Sequence, residues 1–193
     1  MAEEISQRRN CMKNGHRILT LSFVVCVSLL VAFAAAGCSQ NRPVADEAAK
    51  TGNNDEAGVR QWLDIWIKAF QARDVNAIAA LYAPDVVAYD IVPPLQYVGW
   101  DAYRKTYEGF FAQYNGPLEV AFRDVHVSVQ GDLAIATGLE RLSGTLTNGE
   151  KSSVWARFTS VFRKSNGKWL DIHDHVSVPT DLASGKARLD LNP

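Results

Sequence analysis

The sequence exhausts its cysteine early: Cys11, Cys26 and Cys38 are the three it has, and none follows position 38. A disulfide or a cysteine-bound zinc is therefore excluded from everything beyond that point. An excess of charge of one sign is missing too, since 20 Lys and Arg stand against 21 Asp and Glu, a formal net charge of −1. Such a chain has no global field to draw it to nucleic acid or to an anionic membrane surface, and nucleic-acid binding is not expected. No internal repeat is visible. What is present suffices for one core: 47% hydrophobic and 21% charged residues over 193 positions describe one ordinary globular domain.

The first 37 residues read as an address rather than as fold. Arg8, Arg9, Lys13, His16 and Arg17 form a basic stretch, the run from Ile18 to Ala36 is apolar, and Ala34, Ala35, Ala36 and Gly37 are small. That is the layout of an export signal, with an uncleaved single-pass anchor as the competing reading. Ala35-Ala36-Gly37-Cys38 resembles the bacterial lipobox, with Ala where Leu is usual, so Cys38 is the expected lipidation site. An ordinary signal-peptidase site beside an incidental cysteine is the alternative. Arg8-Arg9 loosely resembles a twin-arginine motif. The expected location is the bacterial cell envelope, held by lipid or, alternatively, soluble and exported. Membrane contact is expected through this segment alone. Residues 38–56 are small and polar and read as a flexible tether.

Beyond it the pattern is helical. Val59, Trp62, Leu63, Trp66, Ile67 and Phe70 recur at helical spacing opposite Arg60, Gln61, Asp64, Lys68 and Gln71. A second short helix over Ala77 to Tyr82 stops before Pro84, and Asp85 to Ile91 reads as a strand closed by Pro93 and Pro94. A third helix follows Gly99 over Ala102 to Tyr114 and ends at Gly116 and Pro117. Then the period changes. Residues 118–129, 133–143, 152–164 and 168–178 are β-rich, and the Gly-containing turns between them make antiparallel neighbours. The fold class expected is α+β: a curved antiparallel sheet wrapped, cone-like, around about three N-terminal helices, over residues 57–179. Residues 180–193 are a polar tail.

Along the last strand Trp169, Asp171, His173, His175 and Ser177 share one parity, and Arg157 and Thr159 share one on the strand before it. If that face looks into the cone, Arg157, Thr159 and His175 suit a ligand carrying an anionic or carbonyl group, because guanidinium offers fixed donors and imidazole titrates near neutrality. The alternative is a polar network on the sheet's exposed face or a dimer interface. His173, His175 and Asp171 project together and could chelate a metal; no metal site and no cofactor is expected. Trp62, Trp66, Tyr89, Trp100, Tyr107 and Phe111 supply aromatic surface, in part lining and in part core.

The order helix, helix, strand, helix, strands comes with particular residues: Asp74 with Leu81, Tyr82 and Asp85; Gly99-Trp100-Asp101; Gly131-Asp132-Leu133-Ala134; and Arg157-Phe158-Thr159-Ser160-Val161. Asn166-Gly167-Lys168-Trp169 and His173-Asp174-His175-Val176-Ser177 with Pro179 complete the set. Together they resemble the SnoaL-like and ketosteroid-isomerase-like branch of the nuclear-transport-factor-2-like superfamily, over about residues 57 to 179. The last stretch also looks like the association domain of calcium/calmodulin-dependent protein kinase. The resemblance implies a conical cavity and a homodimer, and leaves the activity open between ligand binding and several reactions. It matches Asp90 to the isomerase's proton-shuttling carboxylate. It sets Trp66, with one weaker N–H donor, where the oxyanion-holding tyrosine stands, and Thr159 or a near neighbour, which cannot play the part, where the protonated carboxyl stands. Steroid isomerisation as such is therefore not expected. Three functions follow as expectations. The first is binding of a small, partly apolar molecule, acidic or neutral, through Trp66, Tyr89, Trp100, Tyr107, Arg157, Thr159 and His175. The second is a lyase, isomerase or hydrolase acting on a carbonyl compound with Asp90 or His173 as general base, and the third a homo-oligomeric scaffold. Whether the chain is an enzyme stays open at this stage.

Overall fold

The computed structural model describes the backbone over residues 44–193 and the side chains from residue 54 onward. The expected export signal and the expected lipidation site Cys38 lie outside the described residues. Helix α1 (Val44–Gln71) buries Val59, Trp62, Leu63, Trp66 and Phe70 on one face, as steps of three and four require. It begins inside the stretch expected as a tether, where Ala45, Glu47, Ala48, Ala49 and Lys50 are strong helix formers despite their polar surroundings. Helix α2 (Val75–Ala79) is capped by Asp74, whose carboxylate accepts from the N–H groups of Asn76 (3.0 Å) and Ala77 (2.9 Å).

Strand β1 (Tyr82–Tyr89) starts earlier than its sequence suggests and takes in Pro84. The proline is tolerated because pairing there is irregular, between Tyr82 and Val87, so no ladder hydrogen bond is lost. Strand β2 (Tyr97–Val98) pairs with β1, and Gly99, at φ 81°, turns the chain into helix α3 (Trp100–Ala112).

Strands β3 (Tyr114–Gln130), β4 (Leu133–Leu146), β5 (Lys151–Ser165) and β6 (Lys168–Ser177) form the antiparallel meander. Between β5 and β6, Asn166 (φ 50°) and Gly167 (φ 76°) make the tight turn whose twist suits a hairpin, pairing Ser165 with Lys168. The sheet order is β2-β1-β6-β5-β4-β3. It is mixed rather than purely antiparallel, because β1 lies parallel to β6. Helix α3 and the whole meander intervene between those two strands, so no hairpin fixes their direction. In the tail, β7 (Thr180–Asp181) and β8 (Lys186–Ala187) form a separate small ladder.

The core lies between one face of this curved six-stranded sheet and helices α1 and α3. Phe158 and Phe162 from β5 meet Trp62, Trp66 and Phe70 from α1 and Tyr103, Tyr107 and Phe111 from α3. Opposite them β4 presents small residues, Ala134, Ala136 and Gly138, which leave room for the rings.

Candidate functional site

One residue in β6 decides which side chains enter the interior. Val161 pairs with His173 and Phe162 with Asp171, so Ile172 has no partner on β5 and forms a β-bulge. Before the bulge Trp169 and Asp171 are buried; after it Asp174 is buried and His175 is exposed. The extra residue exchanges the two faces for the rest of the strand.

Asp174 thus arrives in the core, and hydroxyl groups converge on it. Tyr103 donates to Oδ2 at 3.0 Å, Tyr82 to Oδ2 at 3.2 Å and Ser160 to Oδ1 at 3.2 Å. Because Tyr82 spends its proton on Asp174, the 2.8 Å contact between Tyr107 and Tyr82 has Tyr107 as donor. The Trp66 indole N–H in turn donates to the Tyr107 hydroxyl at 3.2 Å. A chain of donors therefore runs from α1 through α3 and β1 to one carboxylate on β6. Burial raises the Asp174 pKa, against the lowering effect of Tyr103, Ser160 and Tyr82. It raises Tyr82, Tyr103 and Tyr107 well above the ordinary phenol value, helped in each by the Asp174 charge.

Two more acids share this interior. Glu140 on β4, paired with Ala156 and Phe122, is 6% exposed and makes no hydrogen bond to a described residue. Burial, then the charges of Asp174 and Asp90, lift its pKa from 4.5 to about 8, so it is a neutral carboxylic acid at pH 7. Asp90, just past the end of β1, is half-buried and accepts a long 3.4 Å hydrogen bond from the Val92 N–H. Its pKa is raised by burial and then by Asp174. Asp171 is fully buried, has no hydrogen-bond partner on either oxygen, and is raised well above the carboxylate range by burial and by Asp174. The Trp100 indole N–H is likewise buried without an acceptor.

A family model for the SnoaL-like domain matches residues 59–181 of this sequence. The chain belongs to the SnoaL-like domain family. Among solved structures, the SnoaL-like domain is similar to an NTF2-like protein of unknown function from Pseudomonas putida KT2440. The two are 34% identical, with 73% of this chain and 98% of that one covered and a TM-score of 0.67. It is also similar to a candidate calcium/calmodulin dependent protein kinase II association domain from Xanthomonas campestris, at 26% identity, 81% and 100% coverage and a TM-score of 0.56. A ketosteroid isomerase-like protein from Erwinia carotovora atroseptica shares the fold at 22% identity, 65% and 96% coverage and a TM-score of 0.56. The rabbit (Oryctolagus cuniculus) calcium/calmodulin-dependent protein kinase type II subunit delta is 25% identical over 141 residues. That match takes in 72% of this chain and 26% of the kinase, so the chain spans about a quarter of that relative.

The sheet divides the residues singled out from the sequence into two groups. Trp66, Trp100 and Tyr107 are in the interior, and Asp90 stands at its edge. Tyr89, Arg157, Thr159, His173 and His175 are gathered on the opposite, outer face, where Thr159 pairs with His175. There the ring of Tyr89 meets those of His173 and His175 edge-on, at 4.8 and 5.7 Å. The expectation that Tyr89, Arg157, Thr159 and His175 meet a ligand inside the cone is therefore corrected, as is that of His173 as a base there. Their side chains follow the period of two, but the bulge reverses its sense. The same bulge puts Asp171 on the face away from His173 and His175, so these three cannot share a metal. Thr159 has no carboxyl to offer, as its side chain already implied; a buried carboxyl on the interior face of β4 belongs to Glu140.

Five interior residues were not singled out as site residues from the sequence, although three of them, Tyr82, Ser160 and Asp174, lie in the stretches that carry the resemblance; the other two are Tyr103 and Glu140. Glu140 had a readable signal, since Ala134, Ala136 and Gly138 precede it at steps of two and mark a face made for close packing. Asp174 had none, because neither Gly nor Pro marks the bulge.

Proposed function

We propose that the SnoaL-like domain binds a small, partly apolar molecule among the aromatic side chains between its sheet and helices α1 and α3, with the ligand's polar end between Asp90 and Glu140. The observation that carries this reading is the division of hydrogen bonds. Hydroxyl protons converge on Asp174, whereas Glu140, buried, has no protein partner among the described residues and Asp90 only a long one. A protein stabilises such groups poorly by itself, and a ligand that engages them recovers the loss. With Arg157 and His175 on the outer face, an acidic ligand has no cation waiting for it inside.

The test compares the two faces by thermal shift with a panel of small aromatic compounds. Stabilisation that survives Arg157→Ala and His175→Ala but disappears in Glu140→Ala supports the interior site. The reverse pattern moves the ligand to the outer face and ends this reading.

Acid–base catalysis is the second reading, favoured by two carboxyls in different settings: a protonated Glu140 able to donate and a half-buried Asp90 able to accept. On a carbonyl compound, Asp90 takes a proton and Glu140 steadies the oxygen. Loss of turnover in Asp90→Asn with binding retained supports it, and equal activity of the two forms removes it.

Pairing of two copies through the outer face belongs to the same proposal, supported by exposed Leu133, Ile135 and Tyr89 on that face and by the similarity to an association domain. So does export with lipid attachment at Cys38, supported by the basic and apolar order of residues 8–38. Cys38→Ala is expected to move the protein from the membrane to the soluble fraction.

A further inference from the structure

The interior of the SnoaL-like domain is rich in carboxyl groups and poor in cations. Glu140, Asp171 and Asp174 are buried in it and Asp90 stands at its edge, while the cations near the sheet lie elsewhere or are already paired. Arg157 is exposed on the outer face, and Arg141 lies over Trp155 there. Lys164 is paired with Asp55 over Trp169, and Arg73 is held by the carbonyls of Phe111 and Gly116.

The groups facing Glu140 from each packed element can be named. From β6 comes the charge of Asp174, from just past the end of β1 that of Asp90, and from α3 Tyr107, whose hydroxyl feels the Glu140 carboxyl. Strands β3 and β5 bring its cross-strand neighbours Phe122 and Ala156, and Trp66 of α1 packs near Phe122; none of the three is charged. Every titratable neighbour is thus an acid. Glu140 itself is buried to more than nine-tenths and has no hydrogen-bond partner among the described residues.

The apolar part of this surrounding is aromatic. Phe122 is the cross-strand neighbour of Glu140, and its ring lies 5.9 Å from that of Trp66, which is hydrogen-bonded to Tyr107. Ring faces carry negative electrostatic potential and attract cations, and Trp does so best. Carboxyl groups and ring faces therefore ask for the same kind of guest. An anion meets repulsion from the ring faces and from the Asp174 charge, and a neutral molecule gains one hydrogen bond without the charge interaction.

We propose that the ligand's polar end is an organic ammonium ion, that Glu140 holds it with Trp66, Tyr107 and Phe122 around its apolar part, and that binding drives one proton from Glu140 into solvent. The proposal rests on the interior-binding reading above and names the ligand's class. Proton and charge balance: neutral Glu140 and a cation enter, and a carboxylate–ammonium pair and one solvent proton leave. Because Glu140 titrates at about 8 without a ligand, cation affinity rises about tenfold per pH unit between pH 6 and 7 and levels off above pH 8.

The experiment is calorimetric titration of the full chain with benzylammonium, benzyltrimethylammonium as a fixed charge, benzyl alcohol and phenylacetate, at pH 6, 7 and 8 and in two buffers of different ionisation enthalpy. The expected result is binding of both cations at least tenfold tighter than benzyl alcohol, no binding of phenylacetate, and release of close to one proton per cation at pH 7. Glu140→Gln, which copies the neutral acid in shape and so keeps the fold, is expected to abolish the proton release and flatten the pH profile. Alcohol or phenylacetate binding as tightly as the cations, or cation binding without proton release, overturns the ammonium assignment and leaves the interior site standing. Binding of none of the four overturns both.

Discussion

Asp174 is the residue on which most of the interior depends. Three hydroxyls point their protons at it, and its truncation would take the acceptor from Tyr103 and Ser160, whereas Tyr82 could turn its proton to Tyr107. An orphaned buried donor costs about 1 to 3 kcal/mol, so Asp174→Ala is expected to destabilise the domain by roughly 3 kcal/mol or more. Urea unfolding checks this: the midpoint should fall while the denaturant slope stays put. Glu140 makes the opposite kind of contribution. Its folded pKa of about 8 lies above the ordinary 4.5, so between those values the unfolded chain has lost a proton that the folded chain keeps. The associated stability is complete below pH 4.5 and is lost as pH climbs toward 8, at up to about 1.4 kcal/mol per pH unit for one proton. Chemical unfolding at pH 5.5 and 7.5 should show the wild type weaker at the higher pH, with a smaller difference in Glu140→Gln. Asp90, Asp171 and Asp174 shift in the same direction, so a reduced slope in the variant, not a flat one, is the expected outcome.

At the scale of elements, what could be read from the sequence was whatever local chemistry enforces. The helical face of Trp62, Trp66 and Phe70 and the four long strands with their Gly-marked turns all follow from spacing and turn residues a few positions apart. The parallel union of β1 with β6 does not, because it joins residues about 90 apart that no turn connects. Nor does the bulge at Ile172, which is set by how β5 and β6 share the curvature of the sheet. A single unmarked residue was enough to reverse the faces of His173, Asp174 and His175, so the site was legible as a cluster of aromatic and polar groups but not as to which of them are inside. Close packing along β4 gives a check on the face assignment. A Cβ added at Gly138 would lie 2.8 Å from Phe158 Cε1 and 3.1 Å from the Arg123 carbonyl oxygen. Backbone cannot yield as a side-chain tip does, and Gly138→Ala is expected to cost about 1 to 3 kcal/mol by thermal unfolding. A neutral effect would mean that β4 turns its other face to the helices.

Across the whole domain the sheet separates the buried carboxyl groups from an outer face rich in basic side chains, where Asp85 pairs with Arg163. Carboxyl groups gather on the helix side, and Arg141, Arg157, His173 and His175 lie on the other, although the chain as a whole is almost neutral. That arrangement bears on the proposed pairing of two copies. A twofold interface sets the same patch against itself, so apolar Ile135 and Leu133 would gain from contact while Arg157 and Arg141 would face cations of the second copy. Hydrophobic contact provides the attraction and like charge opposes it, and only the second term is screened by salt. Raising sodium chloride from 50 to 500 mM is therefore expected to tighten the dimer in sedimentation experiments. Ile135→Glu, which removes apolar contact at a site 46% exposed in the single chain, should leave a monomer that still binds in its interior. A dimer that loosens with salt would place oppositely charged groups across the interface, and a chain that is monomeric at every concentration would leave the outer face free for a different partner.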